Sequence, residues 1–461
     1  MDPATQERVR QAADYAVAGG LLKYTPQGRL EHAPFALNPC PIHPAALLAI
    51  TELTPLFNRL ALAVSRAPDF LREALAPAAA VDGFTRLLLE RLAAAEGNQP
   101  LQALVSRSDY FLVQPPAGGP PQARQVELNT IAASYPALAG CAYRLHRRLW
   151  ADRPWAQALV PNDPAPVLAD VLADAFARYG DPQACLLMVV QPGEANVFDQ
   201  RLLELALRER GVFTRRMTLP ELAAAATLKG GHLRVDGQTA AVTYLRAGYT
   251  PDDLASPEAR RALEVMDRSS TVAVPNVALH LAGAKRVQQV LTQPALLRRF
   301  ADEAAAARLE ATFVGQYALD DEIAGPAGAL PAWRAAQAAP ERWVLKPQRE
   351  GGGNNLYGAD LAARLARATA EERRAYVLME RIVPLTHRAT LVREREASEA
   401  LCVSEIGRFG ALLADGAAIL RNEDAGYLAR TRPEHLREGG VSAGFGVLDS
   451  LVVTPEGGAP V

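Results

Sequence analysis

Hydrophobic positions first recur with the period of a helix. Residues 4–20 and 45–98 carry alanine- and leucine-rich patterns of that kind. Alanine runs at 223–226 and 304–307 add helix propensity. The pattern then changes. Residues 114–122 hold PPAGGPP, a Pro/Gly loop that predicts a hairpin connection between two strands. The second of these, 123–128, alternates apolar and polar residues and ends at Asn129. Residues 183–190 (QACLLMVV) form a short apolar run, as expected of a parallel strand buried on both faces. A helix over 199–210, a strand over 213–217, a helix over 220–225 and a strand over 240–245 follow. That alternation is a βαβ pattern. It predicts a compact substrate-binding domain over 183–283, set inside a larger frame formed by 1–182 and 284–450. Residues 286–343 read as helix-rich. Residues 343–345, 376–379 and 401–406 read as strands, and Asp415-Gly416 as a hairpin turn. The fold class is therefore α/β with mixed α+β character. A tail over 451–461 is expected to be disordered.

Composition narrows the function classes. A chain of 461 residues is long enough for two or three domains with large cores. Charged residues at 22% and hydrophobic ones at 49% are ordinary for a soluble globular protein. A net charge of −2 speaks against nucleic acid as a bulk partner but leaves room for a local cationic pocket. No continuous apolar run reaches membrane-spanning length, so no membrane partner is expected. The start, Met1 to Glu7, is acidic and polar, unlike a signal peptide. Cys40, Cys141, Cys185 and Cys402 are scattered and read as reduced thiols of a cytoplasmic protein. The histidines are dispersed too, which speaks against zinc.

Chemistry concentrates in 345–358, LKPQREGGGNNLYG. Consecutive glycines bury nothing and cost backbone entropy, but they let backbone N–H groups approach a ligand closely, as in phosphate-cradling loops. Lys346 adds cationic charge, and Glu350 is a candidate Mg²⁺ ligand. A plain surface turn would not need Lys, Arg, Glu and two Asn around it. Glu127 and Asn129 stand at i and i+2 on a predicted strand, so their side chains share one face. Alone, that pair is more often structural than metal-binding.

The segment LKPQREGGGNNLYG resembles the glycine-rich loop of eukaryotic-type glutathione synthetases, which are ATP-grasp ligases. Similar segments recur in order: Arg107-Ser108-Asp109-Tyr110, Glu127-Leu128-Asn129-Thr130-Ile131 and Asn196-Val197-Phe198-Asp199-Gln200-Arg201. Arg246-Ala247-Gly248-Tyr249, Leu281-Ala282-Gly283-Ala284-Lys285, Leu378-Met379-Glu380 and Ser404-Glu405-Ile406-Gly407 continue the series. Leu428-Ala429-Arg430-Thr431 and Gly439-Gly440-Val441-Ser442-Ala443-Gly444 end it. The resemblance spans about 33–449.

The resemblance implies an ATP-grasp fold with an inserted βαβ domain and a mobile lid over about 295–405. It implies ligation of γ-glutamylcysteine and glycine through an acylphosphate, with ATP and two Mg²⁺ ions, in a homodimer. Glu127, Asn129 and Glu350 would hold the metal. Lys285, Lys346, Gly351, Gly352, Gly353, Asn354, Asn355, Tyr357, Met379, Glu380, Ile382, Glu405 and Arg432 would hold the nucleotide. Arg107, Glu194, Asn196, Gln200, Arg246, Tyr249 and Arg430 would bind the dipeptide or its reacting end, Ser134 would add a substrate contact, and Val441 and Ser442 would belong to a small-residue loop that closes over the amine substrate. Arg430, Glu350 and Lys346 would serve the chemistry, with Arg430 stabilising the tetrahedral intermediate. Arginine forks suit the carboxylates of the dipeptide, and Glu194 suits its ammonium. Any one of these residues taken singly would read as a core or surface-pairing side chain.

Three departures stand out. Ala132 replaces a common hydroxyl residue, Arg432 a lysine, and Ser442 a common alanine. The rival readings are a ligase that uses another amine such as β-alanine, and a non-catalytic nucleotide-binding homologue. A dead homologue would typically lose Glu127, Asn129 or Glu350, and all three are present. A protein kinase is disfavoured, because the loop lacks G-x-G-x-x-G spacing and neither H-R-D nor D-F-G occurs.

Overall fold

The computed structural model describes residues 2–25, 27–95, 99–325, 328–350, 353–441 and 444–454. Gly351, Gly352 and Ser442, singled out above, and 455–461 of the expected tail lie outside the described residues.

A seven-stranded sheet runs in the order Thr386–Arg393, Phe35–Ala36, Val447–Asp449, Ala418–Pro433, Glu396–Asp415, Leu101–Val113, Gln122–Asn129. Thr386–Arg393 also pairs with Glu396–Asp415, which closes that end of the sheet on itself. Ala36, Ala389, Leu391, Cys402 and Val447 pack there. Leu101–Val113 is covered on both faces. Ala103 and Val105 join a core with the helices Pro3–Ala18, Pro136–Leu149 and Pro164–Tyr179. Leu104, Tyr110 and Leu112 pack toward Pro44–Ser65. Both sides being apolar explains why this strand lacks a clean alternation.

The helical pattern over 45–98 resolves into Pro44–Ser65, Pro68–Ala79 and Gly83–Ala95. Proline opens the first two, where its missing N–H costs nothing. Pro44–Ser65 is long and apolar enough by length and composition to cross a bilayer, a feature the search for continuous apolar runs did not register. Here Ile50, Leu53, Phe57, Ala61 and Val64 bury against the sheet.

The predicted βαβ unit is a six-stranded sheet. Thr214–Met217, Cys185–Val189, Gln238–Leu245 and Val272–Val274 run parallel, and an antiparallel extension, His232–Val235 and Ala226–Lys229, completes it. Cys185–Val189 is buried throughout.

A third sheet orders Gln316–Ala318, Tyr376–Glu380, Trp343–Pro347 and Leu356–Tyr357, all antiparallel. Leu345, Leu361, Leu365 and Leu378 join it to its helices Ala332–Ala338 and Gly358–Arg367. The span 286–343 is helix-rich as read, with Lys285–Leu291, Pro294–Leu297, Glu303–Glu310 and Ala332–Ala338, and it adds the short strands Gln316–Ala318, Glu322–Gly325 and Gly328–Pro331. The limit of the lid near 405 falls inside the continuous strand Glu396–Asp415, whose first half pairs in the central sheet. The tail begins later than expected. Leu451–Val453 pairs in parallel with Cys40–Ile42, and burial of Leu451 and Val452 supplies the order.

Candidate active site

Strand register builds the site. Arg107, Asp109 and Phe111 alternate onto one face of Leu101–Val113. The neighbouring strand sets Asn129 opposite Arg107 and Glu127 opposite Asp109. On the other side, Glu405 stands opposite Phe111, and Arg430 opposite Glu405. Gly407 faces Asp109. A Cβ there would lie 2.4 Å from Asp109 Oδ1 and 2.7 Å from Arg107 Cδ, so only glycine leaves that pair its room.

Asp109 is fully buried and gathers the neighbouring donors. It accepts from Arg107 Nε at 2.7 Å, Arg107 Nη2 at 2.8 Å, Asn129 Nδ2 at 3.1 Å and Arg430 Nη2 at 3.0 Å. Arg430 Nη2 also donates to Glu405 Oε1 at 2.6 Å.

The opposite wall comes from the glycine-loop arm. Lys285, at the start of the helix Lys285–Leu291, donates to Arg349 O at 2.6 Å. Its Nζ lies 3.5 Å from Glu127 Oε2 and 3.7 Å from Glu350 Oε2. Lys346 Nζ donates to Val126 O at 2.8 Å. The arm is pinned where Arg286 N donates to Gln348 Oε1 at 3.1 Å and Arg349 Nη2 donates to Asp82 Oδ1 at 2.7 Å.

These charges tune one another. Burial alone would raise the Glu127 carboxyl, but Lys285, Lys346, Arg107 and Arg430 outweigh it and hold the group at about 2. At Glu350 burial wins over Lys285, and the carboxyl is raised. Burial lowers Lys346 despite Glu127. For Lys285 burial is more than reversed by Glu350 and Glu127, so it is raised. The nearby cations thus favour the charged form of Glu127, whereas burial and the Glu127 charge oppose that of Glu350.

The enclosed cavity measures about 330 Å³. Arg107, Glu127, Asn129, Ser134, Tyr249, Lys285, Glu350, Asn355, Tyr357, Glu405, Arg430, Arg432 and Val441 all line it. A second cleft of about 330 Å³ shares Phe111, Val126, Asn355, Tyr357 and Arg432 and adds Lys346, Met379, Glu380 and Ile382. The turn 131–135 forms one wall and holds Ala132 at φ 50° and Tyr135 at φ 75°, left-handed values that such residues adopt under constraint. Gly353, at φ 89°, donates its N–H to Glu438 Oε2 at 3.1 Å. Asn354 Nδ2 lies 3.5 Å from Glu350 O, and Asn354 lines neither cleft.

Glu194, Asn196, Gln200 and Arg246 stand behind the cavity wall rather than on it. Arg246 Nη1 donates to Ala133 O at 2.9 Å and Nη2 to Ser134 Oγ at 2.7 Å. Glu194 accepts from Asn196 N at 2.8 Å and Gln200 Nε2 at 2.6 Å. Asn196 Oδ1 and the Nε atoms of Arg246, Arg430 and Arg432 are buried without a hydrogen-bond partner among the described residues.

No group of three or more His, Cys, Asp or Glu converges as a metal cage among the described residues. The oxygen set Glu127, Asn129 and Glu350 nevertheless lines one cavity. The Asn129 amide nitrogen is taken by Asp109 and by Arg107 O, so its oxygen is the end left for a cation. That donor set fits Mg²⁺.

Asp109, Tyr135, Arg437 and Glu438 were not among the expected site residues. The last three line the cavity, and Asp109 holds its arginines. The one signal available for Asp109 was its i+2 spacing from Arg107 on a strand.

Residues 2–453 match the family model described as eukaryotic glutathione synthase, ATP binding domain. The glutathione synthetase of Homo sapiens is 38% identical over 464 residues, covering 96% of this chain and 96% of that protein. The chloroplastic glutathione synthetase of Solanum lycopersicum is 38% identical over 91% of this chain and 77% of its own length. Among solved structures, an apo glutathione synthetase-like effector from Globodera pallida aligns with a TM-score of 0.78 at 22% identity over 98% of each chain. Its identity is low enough that this likeness speaks to the fold alone.

Proposed function

This chain belongs to the eukaryotic glutathione synthase family, and we propose that the cavity between the central sheet and the glycine-loop arm is where it joins γ-glutamylcysteine to glycine. The enzyme is an ATP-dependent C–N ligase that makes glutathione. The observation that carries the site assignment is the charge arrangement. Glu127 and Glu350 flank Lys285 in one cavity, which opens into a cleft lined by Met379 and Ile382 that suits a purine ring.

The chemistry follows from that layout. A cysteinyl carboxylate oxygen attacks the γ-phosphorus of ATP, ADP leaves, and an acylphosphate forms. The glycine amine, having lost a proton, attacks the acyl carbon. The tetrahedral intermediate collapses to the amide and expels phosphate. Lys285 and Lys346 supply fixed positive charge for the polyphosphate. Arg430, which lines the cavity, would stabilise the oxyanion. Arg107 and Arg246, through Ser134, shape the wall that would receive the dipeptide. Glu194, Asn196 and Gln200 would meet its glutamyl head beyond that wall. Glu405, Arg432, Asn354, Asn355, Tyr357 and Glu380 would surround the nucleotide, with Tyr249 toward the dipeptide and Val441 toward the amine side. Glu127, Asn129 and Glu350 would hold Mg²⁺, which when bound neutralises the phosphate charge that builds up during transfer.

We further propose that 183–283 acts as the substrate domain and that the Gln316–Glu380 sheet moves as a lid. A homodimer is proposed on family grounds. A cytoplasmic location is proposed on the four buried, unpaired thiols, although the relative from Solanum lycopersicum is chloroplastic. Phosphate release by the purified chain with ATP, Mg²⁺ and γ-glutamylcysteine tests the reading. Turnover should require glycine and yield glutathione. Glycine-independent release without peptide product would refute it.

A further inference from the structure

Asp109 is closed off from solvent, yet it touches no cavity surface itself. A buried carboxylate persists when every oxygen is paired. Here the partners are Arg107 through two nitrogens, Asn129 through its amide and Arg430 through Nη2. All three partners line the cavity. Arg430 lies 321 residues away along the chain, so the contact is tertiary.

We infer that Asp109 is a positioning residue for the dipeptide half of the reaction: its carboxylate sets the rotamers of Arg107 and Arg430 and turns the Asn129 amide oxygen toward the cavity. The inference rests on the proposal that this cavity performs the ligation. Three features support a positioning role over simple charge burial. The Arg107 fork meets both carboxylate oxygens, a two-point contact that fixes a plane. The Asn129 amide gives its nitrogen to Asp109 and so presents oxygen elsewhere. Gly407 leaves the carboxylate a slot that a single methyl would fill.

Lysines 285 and 346 do not touch Asp109; they bond to Arg349 O and Val126 O. The polyphosphate half should therefore survive its loss. In Asp109→Asn the KM for γ-glutamylcysteine should rise about tenfold or more and kcat fall about a hundredfold. Affinity for ATP, measured by titration calorimetry without dipeptide or Mg²⁺ so that the Asn129 oxygen is not read, should stay within about twofold or tighten, because one negative charge leaves the region. Arg107→Gln combined with Asp109→Asn should cost little more than either alone, since each variant unseats the same fork.

The experiment compares wild type with these variants as full chains, reading KM, kcat, ATP affinity and melting temperature. Wild-type KM and kcat in a folded Asp109→Asn overturn the inference. So does an equal loss of ATP and dipeptide binding, which would mark a merely structural residue. Should Asp109→Asn not fold, Gly407→Ala displaces the carboxylate together with the stem of Arg107 and removes neither charge. The same split is then expected, and unchanged kinetics overturn the inference. Failure of the underlying proposal looks different, because wild type itself would then release no phosphate in response to the dipeptide.

Discussion

Glu127→Gln is the sharpest perturbation of the site, because it removes a charge and almost no volume. The carboxyl sits at about 2 against an ordinary value of 4.5. At about 1.4 kcal/mol per unit, that difference corresponds to about 3 kcal/mol of net attraction to Lys285, Lys346, Arg107 and Arg430. The side chain keeps 24% of its surface open to the cavity, and water there trims the expected loss to about 2–3 kcal/mol at pH 7. The sign with pH is fixed by the lowered value. The contribution is fully present above 4.5 and disappears as pH falls to about 2. The variant should therefore melt lower than wild type by a constant margin from about pH 5 to 8, with the margin shrinking below about pH 4.5. ATP should restore part of the margin, since its phosphates replace the missing negative charge. Turnover should fall by about a thousandfold, because no neighbouring oxygen replaces the one lost to Mg²⁺. The assays are thermal melts across pH, with and without nucleotide, and phosphate release at saturating Mg²⁺. A variant with wild-type melting at pH 7 and kcat within about tenfold of wild type would refute both the electrostatic and the metal-site reasoning.

Gly353→Val should cripple phosphate release while leaving the melting temperature nearly unchanged. Its φ of 89° resists a branched side chain, and a large melting drop with normal turnover would instead mark a structural turn. Glycine should be preferred over β-alanine by about ten- to a hundredfold in kcat/KM, the worth of one methylene. The small-residue stretch Gly439, Gly440 and Val441 at the cavity motivates this, and equal values in competition would move the reading to the β-alanine ligase. Arg91→Leu should destabilise the fold by about 3–5 kcal/mol, because it breaks a buried two-bond ion pair with Asp267 that joins Gly83–Ala95 to Pro257–Asp267. Denaturant melts would read this, and an unchanged midpoint would show that the pair contributes nothing.

Much of the site was legible because its chemistry is carried by short contiguous segments. Lys346 and Glu350 come from one stretch, and Glu127 and Asn129 from one strand, so residue type and spacing sufficed to nominate them. The hairpin at Asp415-Gly416 and the buried strand Cys185–Val189 were legible for the same reason: turn chemistry and apolar runs are local. What was not legible depends on partners far away in the chain. The length of Glu396–Asp415 follows from pairing on both sides with Leu101–Val113 and Ala418–Pro433. The order of Leu451–Val453 follows from Cys40–Ile42, which no local pattern announces.

Local periodicity and motif spacing thus determined the α/β class, the candidate nucleotide loop and the Glu127–Asn129 pair, while the family resemblance nominated most other residues that line the cavity. Tertiary structure alone decided that Arg107, Asn129 and Arg430 meet at the buried Asp109, because that meeting depends on strand register and on a contact between distant parts of the chain. It also decided that Glu127 is lowered while Glu350 is raised, since the balance of burial against nearby cations is a property of the assembled cavity and not of either segment.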